Sequence, residues 1–353
     1  MELRKITTPR LTTACRFHGR PDGRKLLLIH GNASSSVFYE HIMERLEDKF
    51  CMAAPDLRCF GDSDALPVDA TRGMRDFSDD IHELVEALGW DKFIIFGWSM
   101  GGGVAMQYAI DHSDKLDGMV LQSPLSPFGF GGTYGEDGKK LEPLGLGSGA
   151  GCANVQLIAA LQSGDRAFIA SVIDSIYVAP PFQIAPELKE KYIDSVMTTR
   201  VGDGMYPGNS SMCATWPFVL AGDSGICNTM APNWCDLSGL AEIPNKPPIL
   251  WIRGAQDLMV SDTSVCDLVY LGKAGVVPGY PGDEVCPPQP MLSQTRFVLE
   301  KYKANGGAYH EAVIPGGHGC MLDHEDEFIA ELLGFFGVYN LKKGALGPNP
   351  DAP

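Results

Sequence analysis

The stretch FIIFGWSMGGGVAMQYA (residues 93–109) changes character in its middle. Up to Gly97 it is apolar and rich in β-branched residues, as in a buried strand, and from Gly101 onward glycine, alanine and methionine occur at helical spacing. Ser99 lies between the two halves, with a glycine two positions before it and another two positions after it. The pattern predicts that a strand gives way abruptly to a helix and that Ser99 occupies the tight turn between them.

A serine in such a turn has a strained backbone, which requires small neighbours, and its hydroxyl is raised above the edge of the sheet. The helix that begins there directs the backbone N–H of Met100 and the positive end of its dipole toward any negative charge that forms beside Ser99. A bare G-x-S-x-G motif is common by chance and can serve only close packing. The flanking strand and helix favour Ser99 as a nucleophile.

A neutral hydroxyl is a poor nucleophile, so this hypothesis requires a general base and an acid that orients the base. The segment VIPGGHGCMLDHEDEF puts His318 on a glycine-rich loop between the last predicted strand and the last helix. Asp257 lies three residues beyond Gly254, at the end of the preceding strand, and Asp262 is a rival for the same role. We predict the triad Ser99, Asp257 and His318.

A tetrahedral intermediate needs a second hydrogen-bond donor besides the Met100 amide. The segment LLLIHGNASSSVFYE (residues 26–40) ends a strand at Gly31, and the amide of Asn32 can point into the same crevice. A plain strand-to-helix loop with Ser34 or Ser35 as N-cap is compatible with this role. We therefore predict that Asn32 and Met100 form the oxyanion hole.

Short apolar segments bounded by turn residues alternate with amphipathic segments along the chain. This alternation predicts an α/β fold with a doubly wound, mostly parallel sheet. The predicted strands are residues 25–31, 50–57, 93–99, 119–124, 247–254 and 308–315.

Two intervals interrupt the alternation. Residues 125–243 begin with a glycine-dense stretch, continue into helical patterns and predict an inserted, largely helical lid between two parts of the core, 1–124 and 244–341. A second insertion, 271–290, is rich in glycine and proline. The tail 342–353 is expected to be disordered.

The 353 residues are 44% hydrophobic and 20% charged, and the net charge is −16. Scattered acidic residues disfavour nucleic acids and anionic membranes as partners, and the N-terminus has no apolar signal core. We expect a cytoplasmic protein whose ten cysteines are mostly reduced, with a disulfide among Cys213, Cys227 and Cys235 or between Cys266 and Cys286 as the minority alternative. No metal or cofactor is expected, and association into a homo-oligomer is left open.

Several motifs together resemble the α/β-hydrolase fold family, in its serine-nucleophile branch with a lid between the sixth and seventh main strands. The resemblance covers the whole core and implies the same five residues, Ser99, Asp257, His318, Asn32 and Met100, in the same roles. The motifs are, in order, HGNASSS, DLRCFGDSD, GWSMGG, RGAQD and GGHG.

The chain departs from the family pattern at three points. Cys59 stands where the family usually has glycine, and Asp257 and His318 are 61 residues apart, roughly twice the usual interval. HGNASSS is similar to relatives that dehalogenate alkyl halides, but these, like epoxide hydrolases, use an aspartate nucleophile. Ser99 therefore disfavours both chemistries.

A serine triad attacks a carbonyl carbon, so the predicted activity is hydrolysis of a carboxylic ester, lactone or amide bond of a bulky hydrophobic molecule through an acyl-enzyme. A carbon–carbon bond hydrolase and a non-catalytic small-molecule receptor remain the alternatives. Trp98 and Gly31 are candidate substrate-binding residues. The inserted segment also offers aromatic side chains for a pocket: Phe128, Phe130, Tyr134, Phe168, Tyr177, Phe182, Tyr192, Tyr206, Trp216, Phe218 and Trp234.

Overall fold

The computed structural model describes the backbone of residues 1–341 and the side chains of residues 1–337. Its centre is an eight-stranded sheet. The strands are β1 (Glu2–Thr7), β2 (Thr12–Gly19), β3 (Arg24–Ile29), β4 (Phe50–Pro55), β5 (Phe93–Trp98), β6 (Leu116–Gln122), β7 (Ile249–Gly254) and β8 (Tyr309–Ile314).

The strands lie in the order β1-β2-β4-β3-β5-β6-β7-β8. Strands β3 to β8 are parallel to one another, whereas β2 is antiparallel to both β1 and β4. The predicted fold class and the six predicted strands are confirmed. The N-terminal hairpin was not predicted, because β1 is an exposed edge strand without an apolar run.

Helices cover both faces of the sheet. Alternate residues of the central strands contribute to two apolar clusters, one packed on α2, α3 and α8 and the other on α1 and α10. The helices are α1 (Glu40–Arg45), α2 (Arg75–Ala87), α3 (Met100–His112), α4 (Val155–Ser163), α5 (Arg166–Val172), α6 (Pro186–Met197), α7 (Leu268–Lys273), α8 (Met291–Ala304), α9 (Cys320–Asp323) and α10 (Glu325–Leu341).

The long insertion (residues 125–243) connects β6 to β7. Its middle part holds α4, α5 and α6, and the rest consists of turns and two small antiparallel strand pairs. The short insertion (residues 271–290) packs against it: Trp216 donates a hydrogen bond from Nε1 to the Pro278 carbonyl at 2.9 Å, and its ring lies 5.4 Å from that of Tyr280. The two insertions thus share a small apolar cluster of their own.

All ten cysteines are free thiols. No helix within residues 1–341 is both long and apolar enough to span a bilayer. The predicted disordered tail, residues 342–353, lies outside the described residues.

Candidate active site

Ser99 forms the turn between β5 and α3. Its backbone has φ 58° and ψ −121°, a conformation that is unfavourable for any residue with a side chain. The surrounding backbone holds it there: the Ser99 amide donates to the Gln122 carbonyl at 3.0 Å, and the Ser99 carbonyl accepts from the amides of Gly102 and Leu125, both at 2.9 Å. Neighbouring elements therefore fix a strained serine at the carboxyl edge of the sheet.

The two glycines that flank Ser99 are required by close packing. A Cβ on Gly97 would overlap the Gly101 carbonyl, and a Cβ on Gly101 would overlap the carbonyls of Ile29 and His30. The start of α3 is thus pressed directly against β5 and against the end of β3. Only glycine permits this approach.

Asp257 and His318 form a buried pair beside this turn. The Asp257 Oδ2 atom lies 2.9 Å from His318 Nδ1, and both side chains are almost fully buried. The other carboxylate oxygen accepts from the amides of Met259 and Val260 at 2.8 and 2.9 Å. Because an ionised carboxylate can only accept hydrogen bonds, the neutral imidazole carries its proton on Nδ1, and Nε2 is the basic nitrogen.

The His318 Nε2 atom is buried and has no hydrogen-bond partner among the described residues, Ser99 included. The loop that carries it is held against β5, because Trp98 donates from Nε1 to the His318 carbonyl at 3.0 Å and the two rings lie 5.6 Å apart. The imidazole therefore lies next to the residue that precedes Ser99. Hydrogen bonds between catalytic groups are often loose without substrate and tighten in the complex.

Asp262, the rival acid, has a different function. Its Oδ1 accepts from the amides of Leu292 and Ser293 at 2.7 and 3.2 Å, and its Oδ2 accepts from the Ser293 hydroxyl at 2.7 Å. These contacts cap the first turn of α8. Asp257 is therefore the carboxylate that faces His318.

The loop after β3 is positioned by a buried histidine. His30 Nε2 accepts from the Leu57 amide at 2.9 Å, which places the ring proton on Nδ1, 2.8 Å from the Gly31 carbonyl. Burial lowers the pKa of His30 to about 4, so the ring is neutral near pH 7. The Ser34 hydroxyl donates to the same Gly31 carbonyl at 2.8 Å.

These two hydrogen bonds orient the amide of Asn32. The peptide unit between Gly31 and Asn32 is planar, and in a trans unit the N–H points opposite to the carbonyl, away from His30 and Ser34. Within residues 1–341 neither the Asn32 amide nor the Met100 amide donates to another backbone or side-chain group. Gly31 comes close to Ser99, since a Cβ built on Gly31 would lie 2.9 Å from Ser99 Cβ.

A cavity of about 460 Å³ opens beside Ser99, Met100 and Asn32. Its wall comes from the turn between β5 and α3, from both ends of the long insertion and from residues 259–271, which follow β7. Within the described part of the chain, none of its lining residues is an Asp, Glu, Lys, Arg or His. Six carry sulfur: Met100, Cys152, Cys227, Met230, Met259 and Cys266.

The lining thiols are neutral. Burial raises the pKa of Cys227 to about 12 and that of Cys266 to about 11, and it also raises the pKa of Cys152. Unreactive thiols in such surroundings behave as small apolar groups. The cavity therefore suits an uncharged, polarisable ligand.

Few of the predicted pocket aromatics reach this cavity. Phe130 and Tyr206 line it, whereas Tyr177 and Tyr192 are buried in the core and Phe182 and Phe218 are exposed. The Tyr206 hydroxyl contacts the Asn32 side chain and the Cys227 thiol. Sequence reasoning did not single out Tyr206, because nothing near it in the chain distinguishes it from the other aromatic residues.

The two candidate substrate-binding residues take different positions. Trp98 is buried beneath the turn and packs on His318 and Tyr177, and Gly31 contacts the Ser99 side chain. Neither is part of the cavity lining. The role of His30 in holding the loop was also missed, although the HGN sequence contains it.

Comparison with known proteins agrees with this architecture. Residues 25–136 match the family model of the α/β hydrolase fold. An enol-lactonase from Burkholderia xenovorans LB400 superposes with a TM-score of 0.60 at 14% identity, covering 95% of this chain and 100% of that one. An esterase from Rhodococcus sp. ECU1013 gives a TM-score of 0.59 at 20% identity, covering 96% and 99%. The protein therefore has the α/β-hydrolase fold.

Curated relatives match over a shorter stretch. A soluble epoxide hydrolase from Corynebacterium sp. (strain C12) is 33% identical over 99 residues, 28% of this chain and 34% of the relative. Haloalkane dehalogenase 2 of Mycobacterium tuberculosis (strain ATCC 25618 / H37Rv) is 34% identical over 99 residues, with the same coverage. The alignment thus spans about a third of the length of these relatives.

Proposed function

We propose that the protein is a serine hydrolase that cleaves a carboxylic ester, lactone or amide bond of an uncharged, hydrophobic small molecule through an acyl-enzyme. The observation that carries this proposal is the buried Asp257–His318 pair beside the strained turn of Ser99, with the imidazole Nε2 unpartnered. Position 99 is a serine, so chemistries that need a carboxylate nucleophile, such as epoxide opening and dehalogenation, are disfavoured. The long insertion serves as the lid of the site.

In the proposed mechanism, His318 Nε2 accepts the hydroxyl proton of Ser99 as Oγ attacks the substrate carbonyl carbon. The resulting oxyanion accepts hydrogen bonds from the Asn32 and Met100 amides. His318 then donates the proton to the leaving oxygen or nitrogen as its bond to carbon breaks. Water, deprotonated by the same imidazole, releases the acid product and restores Ser99.

The cavity supports an uncharged substrate. A carboxylate or phosphate enclosed there would lose its hydration without meeting a cation, which is strongly unfavourable. This disfavours the carbon–carbon bond hydrolases that act on keto acids. The sulfur-rich wall favours an aromatic group, because methionine and cysteine sulfur atoms make favourable contacts with rings.

The test compares wild type with Ser99→Ala on a neutral aryl ester and on the same ester carrying a carboxylate in its acyl group. We expect wild-type turnover with at least a tenfold preference for the neutral ester, loss of turnover in S99A, and labelling of Ser99 by an aryl phosphonate. Undiminished hydrolysis in S99A contradicts the serine mechanism. Ligand binding without turnover by wild type favours the receptor alternative.

A further inference from the structure

The long insertion contacts the loop that carries the general base through three consecutive residues, 177–179. The Gly319 amide donates to the Tyr177 carbonyl at 2.6 Å. Asp323 Oδ2 accepts from the amides of Ala179 and Gly317, both at 2.8 Å, so one carboxylate oxygen joins the insertion to the residue that precedes His318. Gly317 packs so closely on residues 178 and 179 that a Cβ there would lie 2.7 Å from the Ala179 nitrogen.

The same tyrosine also contacts the loop that carries the Asn32 amide. The Tyr177 hydroxyl donates to the Ala33 carbonyl at 2.8 Å and approaches the Asn32 carbonyl at 3.4 Å. Ala33 is buried and has φ 48°, a conformation that alanine adopts only when its surroundings impose it. The Tyr177 hydroxyl is thus one of the groups that hold this loop in an unfavourable backbone conformation.

The Tyr177 side chain is itself rigid. It is buried, and its ring packs edge-on against Trp98 with centroids 5.6 Å apart. Burial raises the pKa of the phenol, so the hydroxyl is protonated near pH 7 and is available as a donor. Its backbone carbonyl contacts the loop of His318 and its side-chain hydroxyl contacts the loop of Asn32, so Tyr177 connects two loops that are far apart in the sequence.

We propose that Tyr177 is a positioning residue that fixes the oxyanion-hole loop relative to the base loop. This inference rests on the proposed function, because it assigns Tyr177 a role in the reaction of Ser99. Reaction rates fall steeply when catalytic groups are displaced by an ångström or less. Loss of the hydroxyl removes its hydrogen bond to the Ala33 carbonyl and allows the Asn32 amide to move, while the ring contacts persist.

The test is Tyr177→Phe in the full chain, with Tyr302→Phe as the matched control. Tyr302 is also fully buried and donates to a backbone carbonyl, that of Pro247 at 2.6 Å. Pro247 lies at the amino end of β7, whereas Asp257 follows the carboxyl end of that strand. Hydrolysis of a neutral aryl ester is measured per active site titrated with an aryl phosphonate. Counting sites in this way confines the comparison to folded molecules.

We expect Y177F to lower kcat per titrated site about 10- to 100-fold with KM changed less than threefold, and Y302F to leave both unchanged. A kcat in Y177F within twofold of wild type, or an equal loss in both variants, overturns the positioning role while the serine mechanism stands. Wild-type protein that neither turns over the ester nor takes the label at Ser99 overturns the proposed function and this inference together.

Discussion

A methyl group added at Gly31 should slow catalysis in a protein that still folds. The alanine Cβ would lie 2.9 Å from Ser99 Cβ, 3.2 Å from the Trp98 carbonyl oxygen and 3.5 Å from Ser99 Oγ. Ordinary contacts of this kind begin at 3.4 Å, so the loop and the nucleophile must separate by at least about 0.5 Å. Gly31 does not have a positive φ, so the backbone itself tolerates alanine.

This separation displaces the Asn32 amide from the position where the oxyanion forms. Since a misplacement of about 1 Å can lower a rate about 100-fold, we expect Gly31→Ala to lower kcat for an aryl ester by about 10- to 100-fold. Overpacking of this kind also lowers the free energy of unfolding by about 1–3 kcal/mol. The measurements are kcat per titrated active site and the urea midpoint of unfolding.

Gly334→Ala is the matched control, because a Cβ on this glycine of α10 meets no atom of the described residues within 4 Å. Alanine there should raise the free energy of unfolding by about 0.4–1 kcal/mol and leave kcat unchanged. If G31A retains wild-type kcat, the close approach of Gly31 to the nucleophile has no part in catalysis and the argument is refuted.

Two further predictions concern the acid and the buried histidine. Asp257→Asn should lower kcat about 1000-fold or more, because His318 loses its orienting carboxylate. Asp262→Asn should lower only the free energy of unfolding, by about 1 kcal/mol, because it weakens a helix cap. Equal losses of activity in the two variants would contradict the assignment. Burial lowers the pKa of His30 from 6.5 to about 4 in the folded protein, although the negative charge of Asp56 opposes this shift. As the pH falls, the unfolded chain therefore binds a proton at His30 before the folded protein does. The free energy of unfolding should therefore fall as pH decreases from about 6.5 to about 4, with a contribution of about 3 kcal/mol from this group. Urea titrations at several pH values should show that the free energy of unfolding depends less steeply on pH in His30→Gln than in wild type. Identical slopes in the two proteins would refute the assignment to His30.

The fold was predictable because the six parallel strands are short apolar runs, and such runs identify buried strands without knowledge of their partners. Strand β1 has no such run, since it pairs on one side only and faces solvent. Its pairing with β2 depends on tertiary contacts that local pattern does not reveal. Cys59 adopts φ 68°, which matches the glycine that the family usually has there.

The residues at the strand ends were predictable for a related reason. Ser99, Asp257 and His318 each follow a strand of the parallel sheet, and the carboxyl ends of such strands meet at one edge. The sequence favours Asp257 over Asp262 because Asp257 lies nearer the strand end, and the coordinates add that its carboxylate contacts His318. Only the structure shows that Asp262 caps α8.

The cavity was not predictable, because its wall is built by the two insertions rather than by the strands. Aromatic residues are frequent in the long insertion, but whether a ring faces the cavity, the core or solvent depends on how the insertion folds back on the sheet. In this chain most of these rings pack elsewhere, and sulfur-containing side chains and glycines line much of the cavity instead. The strands therefore determine which bond-breaking chemistry is available, whereas the insertions determine which molecules reach it. Tyr177 connects these two contributions, because it belongs to the insertion that lines the cavity and also contacts the loops that carry Asn32 and His318. A substitution in the insertion can therefore change kcat as well as substrate preference, even at a position that never touches the substrate.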